Sequence, residues 1–221
     1  MAKPEAGVVG AGVVGTAMQK LCGPETVVYD TKPEALQDKK AINACDGVFI
    51  CVPSPMRPDG SCDTSIAEEA VAWVEAPLII LRSTVSPGTT DRPRQTYKKH
   101  IVLQPEYIGE TPGHLFGNMA ERTFIVLGGA QEDTSRAADV YKHYYNSMIY
   151  LCDAVTAEVA KYMKNAFYAT KVAFRNKFFD IARTFGVDYN TLREVWLADT
   201  RISRDLTFVF PDARLLRQVP P

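Results

Sequence analysis

Gly10-Ala11-Gly12-Val13-Val14-Gly15 stands between an apolar run, Ala6 to Val9, and an amphipathic stretch, Val13 to Leu21. A strand that turns through G-x-G-x-x-G into a helix leaves few folds open. The first glycine permits the tight turn and the second lets backbone come close to a pyrophosphate. The third lets helix and strand pack closely, and the helix amino end then faces the phosphates. Asp30 ends the next apolar run, Thr26 to Tyr29, 20 residues after Gly10. A carboxylate there accepts hydrogen bonds from both ribose hydroxyls and repels a 2′-phosphate. The pattern therefore favours NAD over NADP, with Lys32 softening the preference slightly. A glycine-rich strand–helix turn beside an incidental acid is the bland alternative, and the order strand, turn, helix, strand, Asp weighs against it.

The alternation continues. Gly47–Val52, Leu78–Leu81, Ile101–Leu103 and Thr123–Leu127 are expected strands. Helices are expected at about Pro33–Lys40, Thr64–Val74, Gly88–Tyr97 and Glu132–Tyr145. Such alternation implies an α/β, Rossmann-type, doubly wound parallel sheet. Near Asp153 the pattern changes. No Pro or Gly interrupts the chain from there to Phe185, and apolar residues recur at helical spacing. The expectation is one helix of some 33 residues, about 50 Å long. Gly186 then suits a helix end and Asp188 an N-cap for Tyr189–Leu197. The domains expected are a dinucleotide-binding domain over 1–150, a long-helix region over 151–200 that also serves dimerisation, and an irregular tail over 201–221.

Composition excludes several classes. Lys and Arg number 25 against 26 Asp and Glu, a net charge of −1. That argues against a nucleic-acid binder relying on bulk charge and against a polybasic membrane-surface protein. No apolar run reaches the length of a membrane span, and the first residues lack a secretory core. Five cysteines, an odd number without CxxC spacing, argue against a disulfide framework, and no metal site is expected. A soluble, cytoplasmic protein is the expectation.

In open α/β sheets ligands bind beyond the carboxyl ends of the strands. Three such loops look specialised: Cys51-Val52-Pro53-Ser54-Pro55, Arg82-Ser83-Thr84-Val85-Ser86-Pro87-Gly88-Thr89-Thr90 and Gln104-Pro105-Glu106-Tyr107-Ile108-Gly109-Glu110. Taken singly they read as loop punctuation and helix capping; taken together, beside a dinucleotide turn, they suggest a reaction cleft. The start of the long helix adds Glu158, Lys161 and Asn165. Lys161 and Asn165 are four residues apart and share a helix face, where they could stabilise a developing oxyanion. A solvated helix face is the alternative.

The glycine turn, V-P-S-P, S-T-V-S-P-G-T, P-E-Y-I-G-E, A-E-V-A-K-Y-M-K-N and the later Asp199-Thr200-Arg201-Ile202 occur in the order and approximate spacing of the UDP-glucose/GDP-mannose 6-dehydrogenases. The sequence resembles that family over about residues 6 to 213. The resemblance implies an NAD-dependent enzyme that oxidises the C6 alcohol of a nucleotide sugar, such as UDP-glucose, to a carboxylate through a cysteine-bound thioester. It implies that Glu106 is the base for the hydrolytic water, with Thr84 helping to place it. Glu110 would lie near the nicotinamide, and Lys161 and Asn165 would stabilise the C6 oxyanion. Cofactor contacts would come from Gly10, Gly12, Val13, Val14, Gly15 and Asp30, and from Val52, Pro53, Ser83, Thr84 and Glu110. The long helix would join a homodimer.

One departure is large. The family's nucleophile lies in a glycine-rich G-G-x-C-x-P-K-D loop after D-x-R-I, and Cys22, Cys45, Cys51, Cys62 and Cys152 all lie elsewhere. Back-translated with one allowed codon choice, Arg214 to Pro221 shifted by one nucleotide reads Gly-Phe-Ser-Gly-Arg-Cys-Leu-Pro, close to that loop. A frameshifted or early-terminated reading is one expectation; a deliberately shortened chain or a natural short protein is the other. On either, the chain is expected to bind NAD without completing the oxidation. A small β-hydroxyacid-type dehydrogenase and a non-catalytic NAD-binding dimer remain as alternatives.

Overall fold

The structure, a computed structural model, describes residues 5–32, 38–108, 119, 122–144 and 146–202. It divides into two compact units, Met1–Lys161 and Tyr162–Pro221.

The first unit is built on a seven-stranded sheet in the order β2-β1-β3-β4-β5-β6-β7. The strands are β1 (Ala6–Val9), β2 (Val27–Tyr29), β3 (Gly47–Ile50), β4 (Ile79–Leu81), β5 (Ile101–Leu103), β6 (Phe124–Gly128) and β7 (Met148–Cys152). Helices α1 (Val13–Cys22), α2 (Lys39–Asn43), α3 (Ser65–Trp73), α4 (Asp91–Tyr97) and α5 (Gln131–Lys142) connect them. The central strands are apolar at every position because both faces are covered. Successive residues go to opposite cores. Phe49, Ile80 and Val102 pack with Met18 of α1 and Tyr141 of α5. Val48, Ile50, Ile79, Leu81, Ile101 and Leu103 pack with Ile42, Ala67 and Val71 of α2 and α3.

The fold class is as the sequence implies, with three differences. First, β6 runs antiparallel to β5, paired at Leu103 and Gly128. A parallel return usually runs through a helix, and the sequence of residues 104–123 carries two prolines and three glycines. Second, β7 was not expected. It pairs in parallel with β6 from Met148 to Cys152 at the edge of the sheet. Its Met148, Tyr150 and Leu151 are exposed, so it has no alternating signature to read. Third, α2 begins at Lys39 because the Asp38 carboxylate accepts the Lys40 and Ala41 N–H groups as its cap; residues 33–37, where that helix was expected to start, lie outside the described residues.

The long helix is α6 (Ala154–Thr184), 31 residues. The two units divide within it, so its first turns belong with the sheet. In the second unit Asp188 caps α7 (Tyr189–Trp196) by accepting the Thr191 N–H at 2.8 Å, as its sequence suggests. Phe174 packs on Phe178 and Trp196, with ring centroids 4.7 and 5.8 Å away. Among the described residues, no helix is long and apolar enough to cross a membrane and no cluster of His, Cys, Asp and Glu could hold a metal ion. The tail from 203 onward lies outside the described residues.

Candidate active site

Strand order reverses between β1 and β3, since the chain moves from β1 outward to β2 and then back past β1. Loops at the carboxyl ends of two such strands diverge and leave a crevice. The glycine turn occupies one side of it. Gly10 has φ +97°, and a side chain there would meet the Cys51 carbonyl at 2.7 Å. At Gly15 a Cβ would lie 1.7 Å from the Gly10 carbonyl oxygen. These two glycines are needed by the fold itself. Gly12 differs: a Cβ there meets nothing within 4 Å. Gly12 is also the N-cap of α1, with no side chain capping the helix and no acidic residue in its first turn. The first amide groups of α1 therefore face open space beside a residue without a side chain, which fits an incoming pyrophosphate. Val13 is exposed at this helix start and Val14 half-buried.

Asp30 closes the crevice at the end of β2. Its carboxylate accepts the Ala11 N–H at 2.5 Å and the Lys32 N–H at 3.0 Å. The Ala11 amide above all, with Lys32 assisting, holds the carboxyl below its ordinary value. Asp30 is thus ionised and attached to the glycine turn. Across the crevice the Ser83 hydroxyl donates to the Val52 carbonyl at 2.6 Å, joining the loops after β3 and β4. Pro53 is exposed, Val52 and Thr84 half-buried, and Ser83 buried.

The loop after β5 builds a charged cluster. Glu106 is buried, and one carboxylate oxygen accepts the N–H groups of Tyr107 and Ile108 at 2.5 and 2.6 Å. The same oxygen pairs with Arg122 and the other with Arg82, two guanidiniums that are themselves buried. Arg82 reaches back under the sheet, where its second amino group meets the Met18 sulfur at 2.6 Å and the Tyr141 hydroxyl at 3.4 Å. Lys161, from the second turn of α6, donates to the Glu106 backbone carbonyl and lies 5.0 Å from the Tyr107 ring centre. Burial, reinforced by the Arg122 charge, lowers its pKa to about 8.

The structure thus brings Thr84, Glu106 and Lys161 into one unit with the glycine turn. Asn165 stands one turn beyond Lys161 on α6 and belongs to the second unit. Glu110 lies outside the described residues. Sequence reasoning gave no role to Arg82 or Arg122. Arg82 had a usable signal: a charge that continues an apolar strand must find a partner inside. Arg122 had none. Three of the cysteines are unsuited to attack. Burial pushes the Cys51 thiol up to about 12 and also raises those of Cys45 and Cys152.

Residues 25–148 match the UDP-glucose/GDP-mannose dehydrogenase family, NAD binding domain, and residues 155–213 match the central domain of the same family. The glycine turn precedes the first matched segment, so its reading rests on its own geometry. A UDP-N-acetyl-D-mannosamine dehydrogenase of Methanocaldococcus jannaschii is 31% identical over 173 residues, which cover 72% of this chain and 37% of that protein. The UDP-glucose 6-dehydrogenase YwqF of Bacillus subtilis is 28% identical over 181 residues, 74% of this chain and 40% of its own. Among solved structures, a UDP-glucose dehydrogenase from Pyrobaculum islandicum superposes with a TM-score of 0.84 at 25% identity, covering 98% of this chain and 62% of that one. The chain spans about two fifths of the length of these curated relatives. With both matched segments in order on one polypeptide, the chain belongs to the UDP-glucose/GDP-mannose dehydrogenase family and carries its NAD binding domain.

Proposed function

We propose that the chain holds NAD in the crevice between β1 and β3 and serves the oxidation of a nucleotide sugar at C6. The observation that carries this reading is the difference among the three glycines. Two are demanded by packing and one, Gly12, leaves space at the open amino end of α1. Asp30, ionised beside that turn, would accept from the ribose hydroxyls and disfavour a 2′-phosphate. NAD, when bound, supplies the hydride acceptor. Val13, Val14, Val52, Pro53, Ser83, Thr84 and Glu110 would line it.

Lys161 would donate to the C6 oxygen as negative charge develops there, with Asn165 as a second donor. With its pKa lowered to about 8, Lys161 in its neutral form would take the hydroxyl proton as the hydride leaves, and the resulting ammonium would hold the oxygen. Thr84 would help place the hydrolytic water, and Glu110 would lie near the nicotinamide. Glu106 as base for a hydrolytic water would need one of its two arginines to let go of the carboxylate. The thioester step needs a thiolate that Cys51, buried and pushed up to about 12, does not supply. We therefore expect NAD binding and no carboxylate product from this chain alone. Met163, Phe167, Phe174 and Phe178, spaced along one side of α6 and exposed, support α6 as the contact of a homodimer.

The test is a fluorescence titration with NADH and NADPH, followed by NADH absorbance with NAD and UDP-sugars, GDP-mannose or hydroxyacids. Binding of NADH at least tenfold tighter than NADPH is expected, and Asp30→Ala should erase the preference. No binding of either nucleotide would overturn the reading, and turnover with a hydroxyacid would move it to the β-hydroxyacid class.

A further inference from the structure

Glu158 is a deeply buried carboxylate, 1% exposed, and the chemistry above does not use it. It sits in the first turns of α6 and reaches across to the loop between β4 and α4. There one oxygen accepts the Gly88 N–H at 2.6 Å. The other accepts the Thr90 N–H at 2.8 Å and the Thr90 hydroxyl at 2.7 Å. Gly88 has φ +87°, a left-handed turn that aims its amide into the same small space as the N-cap of α4. Three donors thus converge on one buried carboxylate and engage both of its oxygens. The carboxylate of one element is therefore seated on the backbone and hydroxyl donors of another.

Lys161 follows three residues later, on the same side of the helix. Its amino group donates to the Glu106 carbonyl, with Tyr107 and Arg122 beside it. The first turns of α6 thus have two attachments to the loops at the carboxyl edge of the sheet. They differ in character. Placing a charged amine in a buried spot next to Arg122 is unfavourable, so Lys161 left to itself would withdraw toward water. The Glu158 attachment is favourable in itself and opposes that withdrawal.

We infer that Glu158 is a positioning residue: by fixing the first turns of α6 on Gly88 and Thr90, it keeps Lys161 seated against the Glu106 carbonyl and the Tyr107 ring. Its functional meaning rests on the reading of Lys161 as the donor to the substrate oxygen. The seating itself can be tested without substrate.

The measurement is the pH profile of lysine reductive methylation in the intact chain, read residue by residue by mass spectrometry. Lys99 is the internal reference. It too is held below its ordinary value by burial, with its amino group on the Val71 and Ala72 carbonyls and no link to Glu158. Glu158→Gln loses the acceptor for the Gly88 N–H. The Lys161 midpoint should rise from about 8 by one pH unit or more, so that the neutral fraction at pH 7 falls about tenfold. The Lys99 midpoint should stay in place. Thr90→Val, which removes one of the three donors, should move Lys161 in the same direction by less. If Glu158→Gln does not fold, Thr90→Val decides by the same criterion. An unmoved Lys161, or Lys161 and Lys99 moving together as general loosening would produce, overturns the inference. An NADH titration of the parent chain keeps the two readings apart: failure to bind overturns the dehydrogenase proposal and leaves the lysine result standing.

Discussion

Gly12 and Gly15 stand within one turn, and a single added methyl group should damage them in opposite ways. At Gly12 the backbone is ordinary extended chain, φ −76° and ψ −164°, and the new Cβ touches nothing within 4 Å. Gly12→Ala gains about 0.4–1 kcal/mol from a stiffer unfolded chain. It gives back about the same, because alanine is a poorer N-cap than glycine. The chain should therefore fold with its stability changed by less than about 1 kcal/mol. The methyl group would, however, stand where the pyrophosphate meets the α1 amides. NADH affinity should fall at least tenfold, about 1.4 kcal/mol. At Gly15 the Cβ would lie 1.7 Å from the Gly10 carbonyl oxygen, where real contacts begin near 3.0 Å. Helix α1 must retreat from β1 by over an ångström, and such overpacking costs about 1–3 kcal/mol. Urea denaturation followed by circular dichroism and an NADH fluorescence titration, run on both variants, separate the two effects. A Gly12→Ala chain that binds NADH like its parent, or a Gly15→Ala chain as stable as its parent, refutes the assignment of roles to these glycines.

Lys161 lies at about 8, below the ordinary 10.5, so the cost of its buried charge is fully present below pH 8 and fades as pH rises toward 10.5. Lys161→Met should raise stability at pH 7 by about 1–2 kcal/mol even after losing its hydrogen bond, with the gain shrinking in thermal melts toward pH 10.5; a gain independent of pH would contradict the assigned cause. Arg82→Met leaves one oxygen of a buried carboxylate without its guanidinium and should cost about 3 kcal/mol in urea melts. Combined with Glu106→Gln it should cost less than the two separately by at least about 1 kcal/mol, and strict additivity would deny the pairing. Cys51, pushed up to about 12, should escape iodoacetamide at pH 8 until denaturant opens the core, which peptide mapping can follow.

Much of this fold could be read in the sequence because local rules acted alone. The glycine turn, the uniformly apolar central strands, the Asp188 cap and the unbroken α6 each depend on a handful of neighbouring residues. What escaped depends on distant partners. β7 exists because β6 offers it an edge, and its own residues carry no alternation. The direction of β6 follows from a connection without helical periodicity. Asp38 took the capping role that the sequence reading had given to no residue. At the site, the sequence singles out the glycines, Asp30, Thr84, Glu106 and Lys161 by type and order. It could not foresee that Arg122, some 16 residues downstream, folds back to close on Glu106.

That closure alters how acids at such a cleft should be weighed. Sequence reasoning treats every carboxylate near a cofactor turn as a proton acceptor in waiting. Here two of them are already engaged inside the first unit. Glu158 is fully used by Gly88 and Thr90. Glu106 has one oxygen on Arg82 and the other on Arg122 and two backbone amides. A carboxylate held by that many donors must release one of them before either oxygen is open to a new partner. Each instead supports Lys161, Glu158 through the helix that carries it and Glu106 through the carbonyl that receives its amine. A lysine below its ordinary proton affinity is the group that can still exchange a proton near neutral pH. The acid–base capacity of this cluster is therefore better sought in the amine than in the acids that surround it.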